Sequence, residues 1–267
     1  MKPPDPPAPD PPAPDPDPAL GELTRDRLTR DVWLWQRQKG HRFSVDDVAT
    51  AYVAVQACPA ARTVLDLGCG IGSVLLHLAW SLPDATLLGI EAQAVSFALL
   101  ARNVRDNALG ARVAIVHGDL RDPATWPAPP WDLITGTPPY FPLAAALEAE
   151  DPQRAYARIE YRGGVEAYVA TAASLLAPAG RLVLCGDHRA EHRVLAAAHV
   201  NAIHIVSRTD VIARAPNPPL FSIWTLARPP RALWRTPTLP ALSTLTIRDQ
   251  TGQRTPEAAD LRAFSGL

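Results

Sequence analysis

From about Leu20 onward, short apolar runs alternate with longer stretches whose apolar residues recur at helical spacing. "RTVLDLG" is an apolar run stopped by glycine, and "TLLGIE", "RVAIVHGD", "WDLITGT" and "RLVLCGD" are runs of the same kind. Runs this short and continuous suit strands buried on both faces. Between them, "SVLLHLAWSL" predicts a helix closed by Pro83. "QAVSFALLARNVRDNALG" predicts another, with Phe97, Ala101, Val104 and Ala108 on one face and Gly110 as its stop. "GVEAYVATAASLLAPAG" reads as a helix ending at Pro178, and "EHRVLAAAHV" as a further one. Such alternation predicts an α/β chain with a parallel, doubly wound sheet and right-handed crossovers. "AIHIVSRTDVI", "FSIWTLAR" and "STLTIRD" then follow with little helix between them, which fits antiparallel strands finishing the sheet. Ahead of the alternation, "LTRDVWLWQRQKGHRFSVDDVATAYVAVQA" predicts a helical or mixed lead-in, with Asp46 or Asp47 capping a helix through Val48, Tyr52 and Val53.

The first 18 residues break the pattern. Ten are proline and none beyond Met1 is a large apolar residue, so residues 1–19 are expected to be a disordered, proline-rich tail before a domain over 20–267. Removing that stretch, with Lys2 and four Asp, leaves 25 basic against 23 acidic residues. This is not the strongly basic balance of a generic nucleic-acid binder, although a local patch remains open. Cys58, Cys69 and Cys185 are widely spaced and form no CxxC or Cys/His cluster, so neither a disulfide framework nor a metal site is expected. No apolar run reaches about 18 residues and no apolar leader begins the chain, which excludes a membrane span and predicts a cytoplasmic location.

The strand ends carry the candidate chemistry. "VLDLGCGIG" ends a strand at Asp66 and Leu67 and supplies glycines at 68, 70 and 72, where the backbone can turn sharply and a ligand can touch it. The GxGxxG spacing of a dinucleotide loop is not met, because Ser73 follows Gly72. Asp66 suits an ammonium group better than a phosphate, which favours a zwitterionic ligand such as the methionine part of S-adenosylmethionine. Glu91 ends the next strand, where a carboxylate can accept both hydroxyls of a ribose. Asp119 ends the third and can accept from an adenine amino group, with Leu120 adding a backbone N–H.

The fourth strand runs into "TPPYF". An amine on an aromatic ring is a poor nucleophile, because its lone pair is delocalised. Acceptors aimed at its N–H groups favour the more tetrahedral nitrogen of the transition state. The Thr137 hydroxyl and the Pro138 carbonyl are candidates for those acceptors, Pro139 stiffens the loop, and Tyr140 offers a face for the target base. "NPPL", Asn217–Leu220, superficially repeats the motif but lacks the ring and reads as a turn.

These residues resemble a class I S-adenosylmethionine-dependent methyltransferase. "VLDLGCGIG" is similar to that superfamily's first motif, and "TPPYF" to the (N/D/S)-P-P-(Y/F) signature of amino-directed N-methyltransferases. From about Lys39 onward, through "KGHRFSVDD", "ARIEYRGGVEAYVATAASLLAPAGRLVLC" and "LTIRD", the chain resembles the bacterial tRNA(Val) adenine-N6-methyltransferase family. That family has Asn where this chain has Thr137, while Ser stands there in enzymes acting on cytosine. The resemblance implies a Rossmann-like, mostly parallel seven-stranded sheet and S-adenosyl-L-methionine as cofactor, with no metal. It implies cofactor contacts from Asp66, Gly68, Gly70, Glu91 and Asp119, together with their neighbours Cys69, Gly72, Ala92 and Leu120. Thr137, Pro138, Pro139 and Tyr140 would form the target site, and RNA, above all tRNA, would be the partner. Lys39, His41, Arg42, Arg154, Arg158 and Arg162 could build a phosphate-contacting surface. A protein or small-molecule amine as substrate, and a non-catalytic cofactor-binding protein, stay open as alternatives.

Overall fold

A computed structural model describes residues 20–145, 151–229 and 240–267; the proline-rich tail expected over 1–19 lies outside the described residues. The lead-in is a two-stranded antiparallel hairpin, β1 (Leu23–Arg27) and β2 (Trp33–Arg37), followed by helix α1 (Val45–Ala57). The helix begins after Ser44, not at Asp46 or Asp47: Ser44 is the N-cap, and Asp47 reaches back to accept from the Ser44 N–H at 2.8 Å.

Strands and helices then alternate as expected: β3 (Thr63–Leu67), α2 (Ser73–Ser81), β4 (Thr86–Glu91), α3 (Ala94–Asp106), β5 (Val113–His117) and β6 (Trp131–Gly136). A short helix α4 (Pro152–Arg158), α5 (Val165–Leu175), β7 (Leu176–Gly186) and α6 (Glu191–Val200) follow. β8 (His204–Ile212), β9 (Phe221–Ala227), β10 (Ala241–Thr246) and α7 (Pro256–Phe264) close the chain. All eight strands from β3 onward join one sheet, in the order β10-β8-β9-β7-β6-β3-β4-β5. That is one strand more than the seven expected, and the addition is β10, paired parallel to β8 at the edge. Only β9 runs antiparallel to its neighbours. Helices α1, α2, α3 and α7 bury their apolar sides on one face of the sheet, and α5 and α6 on the other.

Three details depart from the expected pattern, each for a physical reason. Helix α5 stops at Leu175, and Pro178 lies inside β7, exposed, where the β6–β7 register jumps between Trp131 and Leu133. An irregularity of that kind tolerates a residue without an N–H. Helix α3 stops at Asp106, four residues before Gly110, with Ala108 in the left-handed region at φ 54°. Its buried side holds Leu99, Leu100, Asn103 and Val104. Asn103 and Asn107, one helical turn apart, act as a mock strand for β2. Asn107 accepts from the Trp33 N–H at 2.9 Å and donates to its carbonyl at 2.7 Å. Asn103 accepts from the Trp35 N–H at 2.7 Å and donates to the carbonyls of Trp35 and Ile71. Two asparagines thus satisfy an exposed strand edge and fasten the hairpin to α3.

Candidate active site

The chain reverses direction across the sheet at β3, which pairs with β4 on one side and β6 on the other. In an open α/β sheet this switch point leaves a crevice beyond the strands' C-terminal ends. An open cleft lies there, with about 910 Å³ of empty space including the solvent at its mouth.

The glycine loop forms its floor. Gly68 has φ +59°, and a Cβ on it would stand 2.2 Å from the Tyr168 hydroxyl oxygen, so both backbone and space demand glycine. Gly70 shares the left-handed backbone, at φ +56°, but a Cβ there would meet nothing within 4 Å, since this residue faces the cleft. Glu91 fastens the loop to β4. Its carboxylate accepts from the Gly70 N–H at 2.8 Å and from the Gln93 N–H at 2.6 Å. Burial nevertheless raises its pKa. Asp119 lies farther along, its carboxylate held bidentate by Arg121 at 2.7 and 2.9 Å, which keeps it below the usual carboxylate range.

Of the residues expected from the sequence, Gly68, Cys69, Gly70, Glu91, Ala92, Asp119, Leu120, Thr137 and Pro139 line this one cleft. Asp66, Gly72, Pro138 and Tyr140 stand outside its lining. Asp66 sits beneath the loop, with Oδ1 accepting from the Thr135 hydroxyl at 2.8 Å and Oδ2 buried without a partner. Burial pushes its carboxyl up to about 7. Tyr140 is half-buried and packs toward the core. Its hydroxyl lies 2.8 Å from Cys185 Sγ and donates to Asp46 Oδ2 at 3.3 Å. Those bonds anchor the Thr137–Tyr140 loop to β7 and α1.

Asp47 is the residue that sequence reasoning missed as a site residue. It lines the cleft, buried, with Oδ1 accepting from the Ser73 hydroxyl at 2.8 Å. No described cation pairs with it, and burial beside Asp46 pushes its carboxyl up to about 7. An acid next to a helix start reads as a cap, and Asp47 serves as cap and cleft wall together. The far wall comes from α4. Arg37 of β2 pairs with Asp151 at its N-cap at 2.8 Å, and Gln93 donates to the Pro152 carbonyl at 3.2 Å. Tyr156, Arg162, His41 and Phe43 complete the wall. Among the described residues there is no cluster of three or more His, Cys, Asp or Glu suited to a metal, and no helix long and apolar enough to cross a membrane.

The donor set fits an S-adenosylmethionine molecule: a bare glycine facing the cleft, an uncompensated acid at one end, a strand-end Glu in the middle and a strand-end Asp beyond. A doubly wound sheet with this cleft at its switch point and an antiparallel β9 beside β7 is the fold of the class I methyltransferases. The chain belongs to the methyltransferase small domain family, which residues 42–212 match. A 4-amino-L-phenylalanine/4-methylamino-L-phenylalanine methyltransferase of Streptomyces pristinaespiralis is 36% identical over 52% of this chain and 48% of its own length. The chain thus spans about half of that relative. A tRNA1(Val) (adenine(37)-N6)-methyltransferase of Porphyromonas gingivalis is 30% identical over 72% of this chain and 75% of its own. The crystal structure of a predicted O-methyltransferase from Agrobacterium tumefaciens shares the fold at 17% identity and TM-score 0.59, covering 84% of this chain and 97% of that one.

Proposed function

We propose that this enzyme methylates the exocyclic amino nitrogen of an adenine in RNA, with tRNA as the substrate class. The observation that carries the reading is Thr137–Pro138–Pro139–Tyr140 at the C-terminal end of β6, with Thr137 and Pro139 in the wall of the cofactor cleft. The two curated relatives named above act on an amine attached to an aromatic ring, one on adenine and one on a phenyl ring. Such a nitrogen needs an acceptor that favours its tetrahedral form, and the Thr137 hydroxyl in the cleft wall serves that purpose. Tyr140 acts as a positioning residue: its buried hydroxyl holds the loop while Thr137 faces the cleft.

When bound, S-adenosylmethionine supplies an already activated methyl group, so the chain's residues have only to bind and align. Asp47 holds the amino-acid end through charge, Glu91 the ribose hydroxyls and Asp119 the adenine amino group. Asp66 keeps the glycine loop in place from below. No strong base is needed, since the proton leaves the nitrogen after transfer.

The second reading is a small-molecule or protein amine, favoured by the identity to the Streptomyces enzyme. Side-by-side transfer assays with unmodified tRNA, 4-amino-L-phenylalanine and a protein pool separate the two. Transfer to tRNA alone is expected. Transfer to the free aryl amine or to protein, with none to tRNA, assigns the enzyme to the second reading.

A further inference from the structure

Two exposed tyrosines stand at the mouth of the cleft. Tyr156 on α4 and Tyr161 just after it are 42% and 41% exposed, with ring centroids 5.0 Å apart at 53°. The Arg162 guanidinium lies 4.6 Å from the centre of the Tyr156 ring. Tyr156 and Arg162 line the same cleft as Thr137 and Pro139, so this surface begins where the target nitrogen would sit. It is also built to hold its place. The Phe141 N–H donates to the Arg158 carbonyl and the Glu160 N–H to the Phe141 carbonyl, each within 3.0 Å. The segment after TPPY is thereby stitched to the end of α4. Arg154 and Arg158 are exposed on α4, near His41 in the cleft wall. The described ion pairs of this region engage Arg37, Arg121 and Arg193 and leave Arg154, Arg158 and Arg162 outside them.

We propose that Tyr156 and Tyr161 form a stacking platform for the base next to the target adenine, with Arg154, Arg158 and Arg162 receiving the adjoining phosphates. The inference rests on the RNA reading above and names the part of the RNA that is recognised. Aromatic rings and guanidinium planes exposed at a site mouth suit unstacked bases in a single-stranded loop. Arginines outside the described ion pairs suit a polyanion. A free aryl amine has no neighbouring base or phosphate to use this surface. Losing one stacked base is expected to weaken binding about tenfold.

The test uses the full chain with bound S-adenosylhomocysteine and two single-stranded RNA oligonucleotides. One is intact, and the other is abasic at the positions flanking its adenine. The wild type is expected to bind the abasic oligonucleotide about tenfold more weakly. Tyr161→Ala is expected to bind both with that same weakened affinity, and Tyr161→Phe to behave as wild type. S-adenosylhomocysteine affinity should not move in Tyr161→Ala, since Tyr161 is outside the cleft lining. Equal wild-type affinity for the two oligonucleotides overturns the platform while leaving the RNA reading intact, and needs no variant to be folded. A wild type that binds neither oligonucleotide overturns the RNA reading and the platform with it.

Discussion

At the scale of single residues, the acids at the strand ends and the acid behind the glycine loop differ in legibility. Glu91, Asp119 and Thr137 each follow an apolar run, so a sequence reader meets them where a parallel sheet presents its ligands. Asp47 hides as a helix-start acid, and Asp66 reads as a ligand although it lies beneath the loop. The two are separable by experiment. Asp47→Asn is expected to weaken S-adenosylmethionine at least tenfold and to leave 5′-methylthioadenosine, which lacks the amino-acid end, unchanged. Equal weakening of both ligands in a calorimetric titration would show that Asp47 merely supports the loop. The pH dependence follows in sign. Asp47 titrates at about 7 when folded against 3.8 as its ordinary value, so the folded chain holds a proton that the unfolded chain releases. Stability from this group is therefore full below about pH 4 and declines as pH rises toward about 7. Cofactor affinity runs the other way, because an ammonium prefers the ionised carboxylate. It is expected to rise between about pH 6 and about pH 7 in the wild type and to flatten in Asp47→Asn. A wild-type affinity that does not change over that window would contradict the assignment.

At the scale of elements, periodicity located the strands of the alternating region and its longer helices, but neither the short α4 nor the devices that join the elements. Asn103 and Asn107 disturb an apolar face, so they cannot be recognised as partners for β2 until β2 is seen beside α3. The hairpin was obscured for the same reason: Trp33 and Trp35 suit a strand or a helix equally until the antiparallel register with Leu23–Arg27 is known. Pro178 looked like a helix stop because nothing in the sequence marks a register jump. The glycine loop was legible, and its packing refines the reason. Tyr168 of α5 wedges beneath Gly68 and also against Gly136, where a Cβ would stand 2.6 Å from its ring. Gly68→Ala is expected to cost about 1–2 kcal/mol from the left-handed backbone alone, with the tyrosine contact added. The melting temperature should fall by several degrees, and Gly68→Ala with Tyr168→Phe should recover only part of the loss. An unchanged melting temperature for Gly68→Ala would mean that the loop can adopt another path.

At the scale of the whole molecule, the place of the site follows from strand order, because the crevice at a switch point exists only once β3 sits between β4 and β6. The substrate does not follow from bulk charge. The balance of 25 basic against 23 acidic residues after residue 18 is close to neutral, whereas Arg162 lines the cleft and Arg154 and Arg158 lie near His41 in its wall. A polyanion meets that local field rather than the average. The most direct measurement of the central claim is nucleoside analysis of unmodified tRNA after incubation with methyl-labelled S-adenosylmethionine and the purified chain, with Thr137→Val in parallel. The account predicts label recovered as N6-methyladenosine and reduced at least tenfold by Thr137→Val, with cofactor affinity retained. Label in a different nucleoside, or full transfer by Thr137→Val, would contradict it.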